Sequence, residues 1–413
     1  MVAPKEIGGA RAVARCDELG IAPYSDAPDM LFRAFLTPAF AAAQRRIAEW
    51  MIEAGMTTRI DEAANLIGRY EGTDPQALPL IIGSHIDSVR DAGRYDGPLG
   101  VMLGIEAVAA LHEAGKRLAF PIEVYAFGDE EGSRFATAML TSRAVAGTLD
   151  PAMLAIEDRS GMSLDEALAP FELSDLTFAK ARHPGARAYF EAHIEQGPAL
   201  EAEGLAVGVV TGIAAQLRYI VTVTGRAGHA GTTSMALRRD ALTGAAEMLL
   251  AVERIARDDA SDLVATVGRI EAAPGAPNVI PGRVTFTVDV RAGEGSRRDA
   301  AAQAILAEFR AIATRRGLDI AIEQTNDLAA SPCDPALMAL LDQSVAAQGI
   351  APHRLVSGAG HDAMIMAALC PTAMLFIRCR HGISHNPAEH VDAADAEIAL
   401  HVMLGFIDRL ETQ

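Results

Sequence analysis

The chain has few cysteines, no long apolar run and no excess of basic residues, and each absence excludes a class of protein. Its four cysteines, Cys16, Cys333, Cys370 and Cys379, show no CxxC spacing, which argues against a disulfide framework and suits reduced thiols. No run of about 18 apolar residues occurs, so we expect no membrane-spanning helix. Residues 1–19 are interrupted by charged side chains and lack the apolar core of a signal peptide. We therefore predict a cytoplasmic protein with no membrane partner.

The charge balance is acidic, with a formal net charge of −18 at pH 7. No basic stripe offsets this charge, so we expect no nucleic-acid partner. Hydrophobic residues make up 50% and charged residues 22% of the chain, which are ordinary proportions for a globular enzyme. The length of 413 residues is enough for two or three domains.

The stretch Gly83–Gly97 carries the first candidate site. It follows an apolar run at Leu78–Ile82 that is typical of a buried strand. His85 therefore leaves the carboxyl end of a strand, where open α/β sheets place their sites. Asp87 could hold the second nitrogen of the His85 imidazole, and Asp96 lies in a glycine-rich turn that could bend back toward His85. Taken alone, the stretch is equally compatible with a solvated polar loop.

Polar side chains also follow three later predicted strands, which makes unrelated solvated loops a poor explanation. These strands and the residues that follow them are Ile122–Phe127 with Glu130 and Glu131, Ala188–Ala192 with His193, and Thr372–Ile377 with His385. An alanine- and glycine-rich helix is predicted at Leu99–Ala114. This alternation of strands and helices predicts a mainly parallel, doubly wound α/β sheet.

A second domain is predicted between residues 214 and 330. Strands at 219–224, 263–270, 284–291 and 318–323 alternate with helices at 238–256 and 299–317, an order typical of a split βαβ α+β fold. The chain then returns to the first domain. We therefore expect residues 1–213 and 331–413 to form a metal-binding catalytic domain, with 214–330 inserted as a lid and dimerisation domain.

The residues at the strand ends predict a metal centre. Its candidate ligands are His85, Asp96, Glu131, His193 and His385. Imidazole and carboxylate donors suit Zn²⁺ and also Mn²⁺, Co²⁺ or Ni²⁺, while the absence of thiolate argues against a structural zinc finger. Five ligands exceed the need of one catalytic zinc but suit two ions sharing a carboxylate. We assign the bridge to Asp96 and the general base to Glu130.

Other histidines of the chain are not predicted to bind metal. We predict surface positions for His112, His183, His353 and His390. His361 and Asp362 lie in a glycine-rich loop, and their role stays open.

Seven motifs together resemble the hydantoinase/carbamoylase amidases. They are Gly83–Asp87, Asp129–Phe135, His193–Pro198, Gly228–Thr233, Asn278–Gly282, Ser357–Asp362 and Gly382–Pro387. That family includes N-carbamoyl-L-amino acid hydrolases, β-ureidopropionase and allantoate amidohydrolase, within the dinuclear zinc aminoacylase and carboxypeptidase superfamily. The resemblance runs in order over nearly the whole chain, and it departs from the family pattern at Ser234, where members usually have proline.

The resemblance implies the same five metal ligands, with Asp96 bridging, and the same general base. It also implies a homodimer formed through the inserted domain and a catalytic oxyanion donor at His229. The substrate-binding positions that it implies are Gln196, Arg218, His229, Asn278, Arg291 and Gly360.

The function implied is hydrolysis of the ureido C–N bond of a small ureido acid, with release of ammonia and carbon dioxide. Allantoate and N-carbamoyl-L-amino acids are the two expected substrates, and Arg218 favours allantoate slightly by offering a second cation. One alternative is an aminoacylase or dipeptidase acting on N-acyl amino acids. A catalytically inactive binding protein is the other alternative, which the complete set of ligands and base disfavours.

Overall fold

The computed structural model describes residues 6–412 of the chain. In chain order its strands are β1 (Thr57–Ile60), β2 (Leu66–Tyr70), β3 (Leu80–His85), β4 (Ile122–Phe127), β5 (Ala188–Ile194), β6 (Val207–Ile213), β7 (Ala215–Thr224), β8 (Gly228–His229), β9 (Val264–Thr266), β10 (Ile270–Ala273), β11 (Val279–Ile280), β12 (Arg283–Ala292), β13 (Asp319–Leu328), β14 (Ser331–Pro332), β15 (Arg354–Ser357) and β16 (Thr372–Ile377).

The helices are α1 (Gly9–Leu19), α2 (Pro38–Glu53), α3 (Pro98–Glu113), α4 (Leu140–Ala146), α5 (Leu164–Leu168), α6 (Asp175–Phe178), α7 (Ala199–Ala202), α8 (Ala241–Asp258), α9 (Gly295–Arg316), α10 (Pro335–Ala347), α11 (Asp362–Met366) and α12 (Ala393–Glu411). None of the helices in the described part of the chain is long and apolar enough to cross a membrane.

The chain divides into two compact units. The first unit runs through Thr211, resumes at Cys333–Leu355 and resumes again at Ala359. The second unit comprises Gly212–Pro332 together with Val356–Gly358. The predicted boundaries of the insertion were residues 214 and 330, and the short return of the chain at 356–358 was not predicted.

The first unit is organised around a mixed sheet with the order β1-β2-β4-β3-β5-β16-β6. Its central pairs β4–β3, β3–β5 and β5–β16 are parallel, while the outer pairs are antiparallel. All residues of β3, β4, β5 and β16 are buried, as expected for a sheet covered on both faces. The prediction of an α/β fold with a mainly parallel central sheet is confirmed.

Two of the site-bearing strands extend further than predicted. His85 is the last residue of β3 and pairs with Phe127 of β4. His193 lies inside β5 and pairs with Phe376 of β16. Pairing with neighbouring strands thus carries both histidines into the sheet, where local sequence favoured a loop.

Helix α3 packs against this sheet at very short range. A Cβ atom placed on Gly100 would lie 2.1 Å from the carbonyl oxygen of Ala192 in β5. Only glycine permits that approach. The predicted close packing of this helix therefore has a specific cause, and it fixes the helix that follows the Asp96 turn.

The second unit has a five-stranded antiparallel sheet with the order β10-β12-β7-β13, and β9 also pairs with β12. Its core contains Val221, Phe286 and Val288 from the sheet and Ile305 and Phe309 from α9. The side chains of β7 and β12 alternate between buried and more exposed positions, so one face of each strand packs on the core.

One predicted strand of this unit, Leu263–Ile270, is in fact two strands. β9 and β10 pair with different parts of β12, and Gly268 lies between them. There the Thr287 hydroxyl accepts a hydrogen bond from Arg269 N at 3.2 Å. A side chain therefore replaces part of the backbone ladder and interrupts the strand.

Candidate metal centre and active site

A cavity of about 210 Å³ lies at the carboxyl ends of the central strands of the first unit. Its lining residues are His85, Asp96, Glu130, Glu131, Met139, His193, Gln196, Ala359, Gly360, His361 and His385. The five predicted metal ligands and the predicted base therefore line one cavity. Gln196 and Gly360, predicted to contact the substrate, line it too.

The two carboxylate oxygens of Asp96 face different histidines. Oδ1 lies 3.2 Å from His193 Nε2 and 3.9 Å from His85 Nε2. Oδ2 lies 3.1 Å from His385 Nε2, which is also 3.4 Å from Glu131 Oε1. Asp96 thus belongs to two groups of donor atoms, each within 4.8 Å of one another: His85–Asp96–His193 and Asp96–Glu131–His385.

Backbone carbonyls orient two of the histidines. His85 Nδ1 lies 3.1 Å from the carbonyl oxygen of Asp87, and His193 Nδ1 lies 2.9 Å from that of Ile194. A carbonyl only accepts, so each Nδ1 carries a proton, and in the neutral ring each Nε2 presents a lone pair to the cavity. This is the tautomer that a metal ligand needs.

The Asp87 carboxylate has a different role from the one predicted. It lies 3.7 Å from His85 Nδ1, beyond hydrogen-bond distance. Instead it accepts hydrogen bonds from the backbone N–H groups of Glu130 at 3.2 Å and Glu131 at 3.3 Å. Asp87 therefore positions the loop that carries the predicted base and a predicted ligand.

The donor set fits divalent metal ions. Asp96 Oδ1 and His193 Nε2 are buried and face each other at 3.2 Å, and neither has another hydrogen-bond partner. Burial opposes a charge on His193, but the nearby Asp96 carboxylate outweighs it and raises the pKa of His193 to about 9. A metal ion held by Asp96 and His193 would displace the Nε2 proton of the charged His193 ring, because ligands bind metal in their deprotonated form.

Glu130 stands beside the ligands in an environment that favours its neutral form. It is buried, and its Oε2 lies 4.0 Å from His85 Nε2. Burial, reinforced by the adjacent Glu131 carboxylate, raises the pKa of Glu130 well above its usual value. A carboxyl with a raised pKa is suited to accept and return a proton.

The Asp96 turn is held by Gln196, which was predicted to contact the substrate, and by two residues for which no role was predicted, Glu389 and Ser384. Glu389 Oε1 accepts hydrogen bonds from Tyr95 N at 2.7 Å and Asp96 N at 3.1 Å. Ser384 donates to Asp96 Oδ2 at 2.7 Å, and so does Gln196 Nε2 at 2.9 Å. Ser384 could have been noticed from its position next to His385. Glu389 gives no local signal, because 293 residues separate it from Asp96.

His361 and Asp362, whose role was left open, are both buried in the first unit. The ring centroids of His361 and His193 are 4.4 Å apart. The nearby Glu191 accepts hydrogen bonds from Ser84 Oγ and Ala363 N. Glu191, His193 and His361 form a further group of donor atoms, so His361 belongs to the wall of the cavity.

The prediction of a surface position for His183 is wrong. Its side chain is buried, and its Nε2 lies 3.1 Å from Glu123 Oε2. Gly185 N donates to His183 Nδ1 at 3.1 Å, so Nε2 carries the proton and donates to Glu123. A buried carboxylate on β4 attracts this histidine, which no local sequence pattern indicates.

In the second unit the structure brings His229 and Asn278 together. Strands β8 and β11 pair His229 with Val279, and Ala230 N donates to the carbonyl of Asn278 at 2.9 Å. Gly231 N donates to His229 Nδ1 at 3.0 Å. The proton of a neutral His229 ring is therefore on Nε2, which leaves Nε2 as a hydrogen-bond donor.

Arg218 and Arg291 line a second cavity, of about 700 Å³, within the second unit. Both guanidinium groups bind Asp289, at 2.7 Å from Arg218 Nε and 2.8 Å from Arg291 Nε. Asp289 was not singled out in the sequence. Its position two residues before Arg291 on the same strand face is the signal that could have found it.

The chain is similar to several known proteins. The family model described as peptidase family M20/M25/M40 matches residues 81–409. Allantoate deiminase of Arabidopsis thaliana is 41% identical over 96% of this chain and 81% of its own length. N-carbamoyl-L-amino acid amidohydrolase of Geobacillus stearothermophilus is 42% identical over 88% of this chain and 90% of its own. A crystal structure of a hydantoinase/carbamoylase family amidase from Burkholderia multivorans superposes with a TM-score of 0.92, at 36% identity and 99% coverage of both chains.

Proposed function

We propose that this chain, which belongs to peptidase family M20/M25/M40, hydrolyses the ureido C–N bond of a ureido acid. Within that family it belongs to the hydantoinase/carbamoylase amidases. The observation that carries the proposal is the pair of donor groups sharing Asp96 beside Glu130. The proposed substrates are allantoate or an N-carbamoyl-L-amino acid, the compounds that appear in the names of the similar proteins.

Two divalent ions are proposed for this centre. His85, Asp96 and His193 would hold one, and Asp96, Glu131 and His385 the other, with Zn²⁺, Mn²⁺, Co²⁺ or Ni²⁺ all compatible with the donors. When bound, such ions polarise the ureido carbonyl and lower the pKa of a water molecule. Metal analysis of the fully active enzyme should give two ions per chain, and one ion with full activity would contradict the assignment.

The chain's own residues supply the proton transfers. Glu130 takes a proton from the attacking water and delivers it to the leaving nitrogen, which departs as ammonia. His229 donates from Nε2 to the oxygen on which negative charge develops. The carbamate that is left loses carbon dioxide and yields the free amine.

The remaining predicted residues are proposed to hold the substrate. Arg291 offers two N–H groups to the substrate carboxylate, a pairing that guanidinium geometry favours. Gln196, Asn278 and Gly360 would contact its polar edges. Arg218 offers a second cation beside Arg291, which favours the more polar allantoate.

Ammonia release decides between ureido acids and the alternative substrates. Metal-loaded enzyme is assayed in parallel with allantoate, N-carbamoyl-L-alanine, N-carbamoyl-β-alanine and N-acetyl-L-alanine. We expect ammonia from one or both of the first two and no release of acetate from the last. Faster cleavage of N-acetyl-L-alanine would favour an aminoacylase or dipeptidase of the same family.

We further propose that the second unit is a lid and a dimerisation domain. Strand β13 bonds to β7 along one edge only, and most of its residues are partly or fully exposed. Such an edge can pair with a second copy across a two-fold axis. Sedimentation should show a homodimer, and a stable, fully active monomer would remove this proposal.

A further inference from the structure

We infer that Asp289 is a specificity-determining residue: it cancels one of two guanidinium charges in the second unit's cavity and so suits that cavity to a substrate with a single carboxylate. The inference rests on the proposed function, in which Arg291 binds the acid group of the substrate and Arg218 offers a second cation beside it. Beyond that function, the inference specifies how many negative charges the preferred substrate carries.

Asp289 accepts hydrogen bonds from three side chains. Its Oδ1 accepts from Arg291 Nε at 2.8 Å, and its Oδ2 accepts from Arg291 Nη2 at 3.0 Å. Oδ2 also accepts from Arg218 Nε at 2.7 Å and from Gln216 Nε2 at 3.0 Å. One carboxylate therefore fixes both guanidinium groups in place.

Strand register makes this arrangement rigid. Asp289 pairs with Arg218 across β12 and β7, and Arg291 pairs with Gln216. Asn326 of β13 donates to Gln216 Oε1 at 2.8 Å. Because alternate residues of a strand share a face, the two arginines and Asp289 project on the same side of the sheet.

The hydrogen bonds leave Arg291 two donors for a ligand. A guanidinium has five N–H groups. Asp289 takes one on Nε and one on Nη2, and the carbonyl of Gly358 takes one on Nη1. One N–H on each terminal nitrogen is left, which is enough for the two oxygens of one carboxylate.

The charges in the cavity sum to one positive unit. Among its described lining residues, the charged ones are Arg218, Asp289 and Arg291. Burial raises the pKa of Asp289, but its hydrogen bonds to Arg291 and Arg218 outweigh burial and lower it, so it is ionised at neutral pH. A monoanion neutralises this charge, whereas a dianion leaves an excess negative charge against the walls formed by Ile220 and Val264.

A charge series tests the inference. The ratio of kcat/KM for N-carbamoyl-L-aspartate, a dianion, to that for N-carbamoyl-L-alanine is measured for the metal-loaded enzyme. Asp289→Asn raises the cavity charge to two positive units and should raise the ratio about tenfold, mostly through KM. Arg218→Gln lowers the charge to zero and should reduce the ratio below that of the unaltered enzyme. Both changes should diminish at high salt.

The control removes an aspartate of the same sheet that does not line the cavity. Asp319 binds Arg239 at 3.1 Å and is exposed, so Asp319→Asn should leave the ratio unchanged. Asp289→Glu keeps the charge and should also keep the ratio within about threefold.

The outcomes separate this inference from the proposed function. Parallel losses for both substrates in Asp289→Asn, with the ratio unchanged, would show that Asp289 only supports the sheet. If Asp289→Asn does not fold, an unchanged ratio in Arg218→Gln overturns the inference equally. If the unaltered enzyme hydrolyses neither acid, the proposed function fails. Calorimetric binding of the same two acids across the charge series then decides the inference on its own.

Discussion

Three residues at or beside the candidate site hold unfavourable backbone conformations. Asp129, Gln196 and His385 have φ values of 59°, 56° and 55°, in the left-handed region that costs a non-glycine residue about 1 kcal/mol or more. All three adjoin or belong to the candidate site. Such strain persists only where the surrounding contacts enforce it. Gln196 and His385 line the cavity, and the Asp129 carboxylate accepts a hydrogen bond from Thr137.

The exchange of Glu130 for glutamine separates its role from that of Glu131. Glu130→Gln should keep its metal ions and lower kcat by about 100-fold or more, because a proton acceptor is lost and no ligand is. Metal content by elemental analysis and steady-state rates provide the measurement. Glu131→Gln is the matched control and should lose metal. Equal metal loss in both variants would show that Glu130 also binds metal and would contradict the separate roles of base and ligand.

Gly97 sets the space available to the His85 ring. It has a φ of 83°, and a Cβ atom there would lie 2.5 Å from that ring. Gly97→Ala should therefore displace His85 and lower both metal occupancy and stability, by about 2 kcal/mol or more. Gly115→Ala is the control, since Gly115 has a φ of 64° and no atom within 4 Å of its would-be Cβ. Similar metal loss in both variants would mean that backbone strain alone is responsible.

At the scale of whole elements, helix α1 is attached to α3 by a buried ion cluster. Glu106 of α3 is fully buried and binds Arg11 and Arg15 of α1, each at 2.8 Å. Gly8 N also donates to it at 2.9 Å. The cluster holds the N-terminal helix against the helix that follows the Asp96 turn.

Removal of the charge of Glu106 should be costly, because it leaves Arg15 buried without its main partner. Glu106→Gln should lower the free energy of unfolding by about 3–5 kcal/mol. Glu53 is the control: it also binds Arg15, at 3.4 Å, but its side chain is 63% exposed. Glu53→Gln should cost at most about 1 kcal/mol. Urea unfolding of the two variants makes the comparison, and equal losses would contradict the prediction.

The elements with clear local patterns were predicted best. β4 and β16 were placed at their true bounds, since continuous apolar runs mark strands buried on both faces. Residues 393–411, which form α12, received no assignment. The lengths of β3 and β5 depended on neighbouring strands, as described above, and sequence alone does not show those neighbours.

The candidate site was predictable where its residues sit in local motifs. His85, Glu131 and His193 each follow or end a recognisable apolar run. Glu389 and Asp289 were missed because their partners come from folding, through a distant turn in one case and strand register in the other. The Asp87 carboxylate was predicted to hold the second nitrogen of His85. Asp87 does hold that nitrogen, but through its backbone carbonyl, which takes the place of the carboxylate.

At the scale of the whole molecule, the second unit has the properties of an independent fold. Residues 212–332 are continuous in sequence and enclose their own core of sheet and helix residues. The first unit, in contrast, is assembled from separated segments.

The fragment 212–332 should therefore fold alone. We expect cooperative urea unfolding with helix and strand signals in circular dichroism, as for other small domains with a single core. The fragment 1–211 is the comparison and should lack such a transition, because β16 is missing from its sheet. A non-cooperative transition for 212–332 would show that its core needs the rest of the chain.

The position of β16 between β5 and β6 has a consequence for how the protein is made. A ribosome that has just completed β6 must add residues 214–371 before β16 appears, which takes roughly ten to thirty seconds. During that interval the nascent chain holds two strands whose shared partner does not yet exist, and such open edges attract other chains. The inserted unit can meanwhile finish folding. His385 is translated after β16, so each new chain acquires its full set of candidate metal donors only once the inserted unit and β16 have both been made.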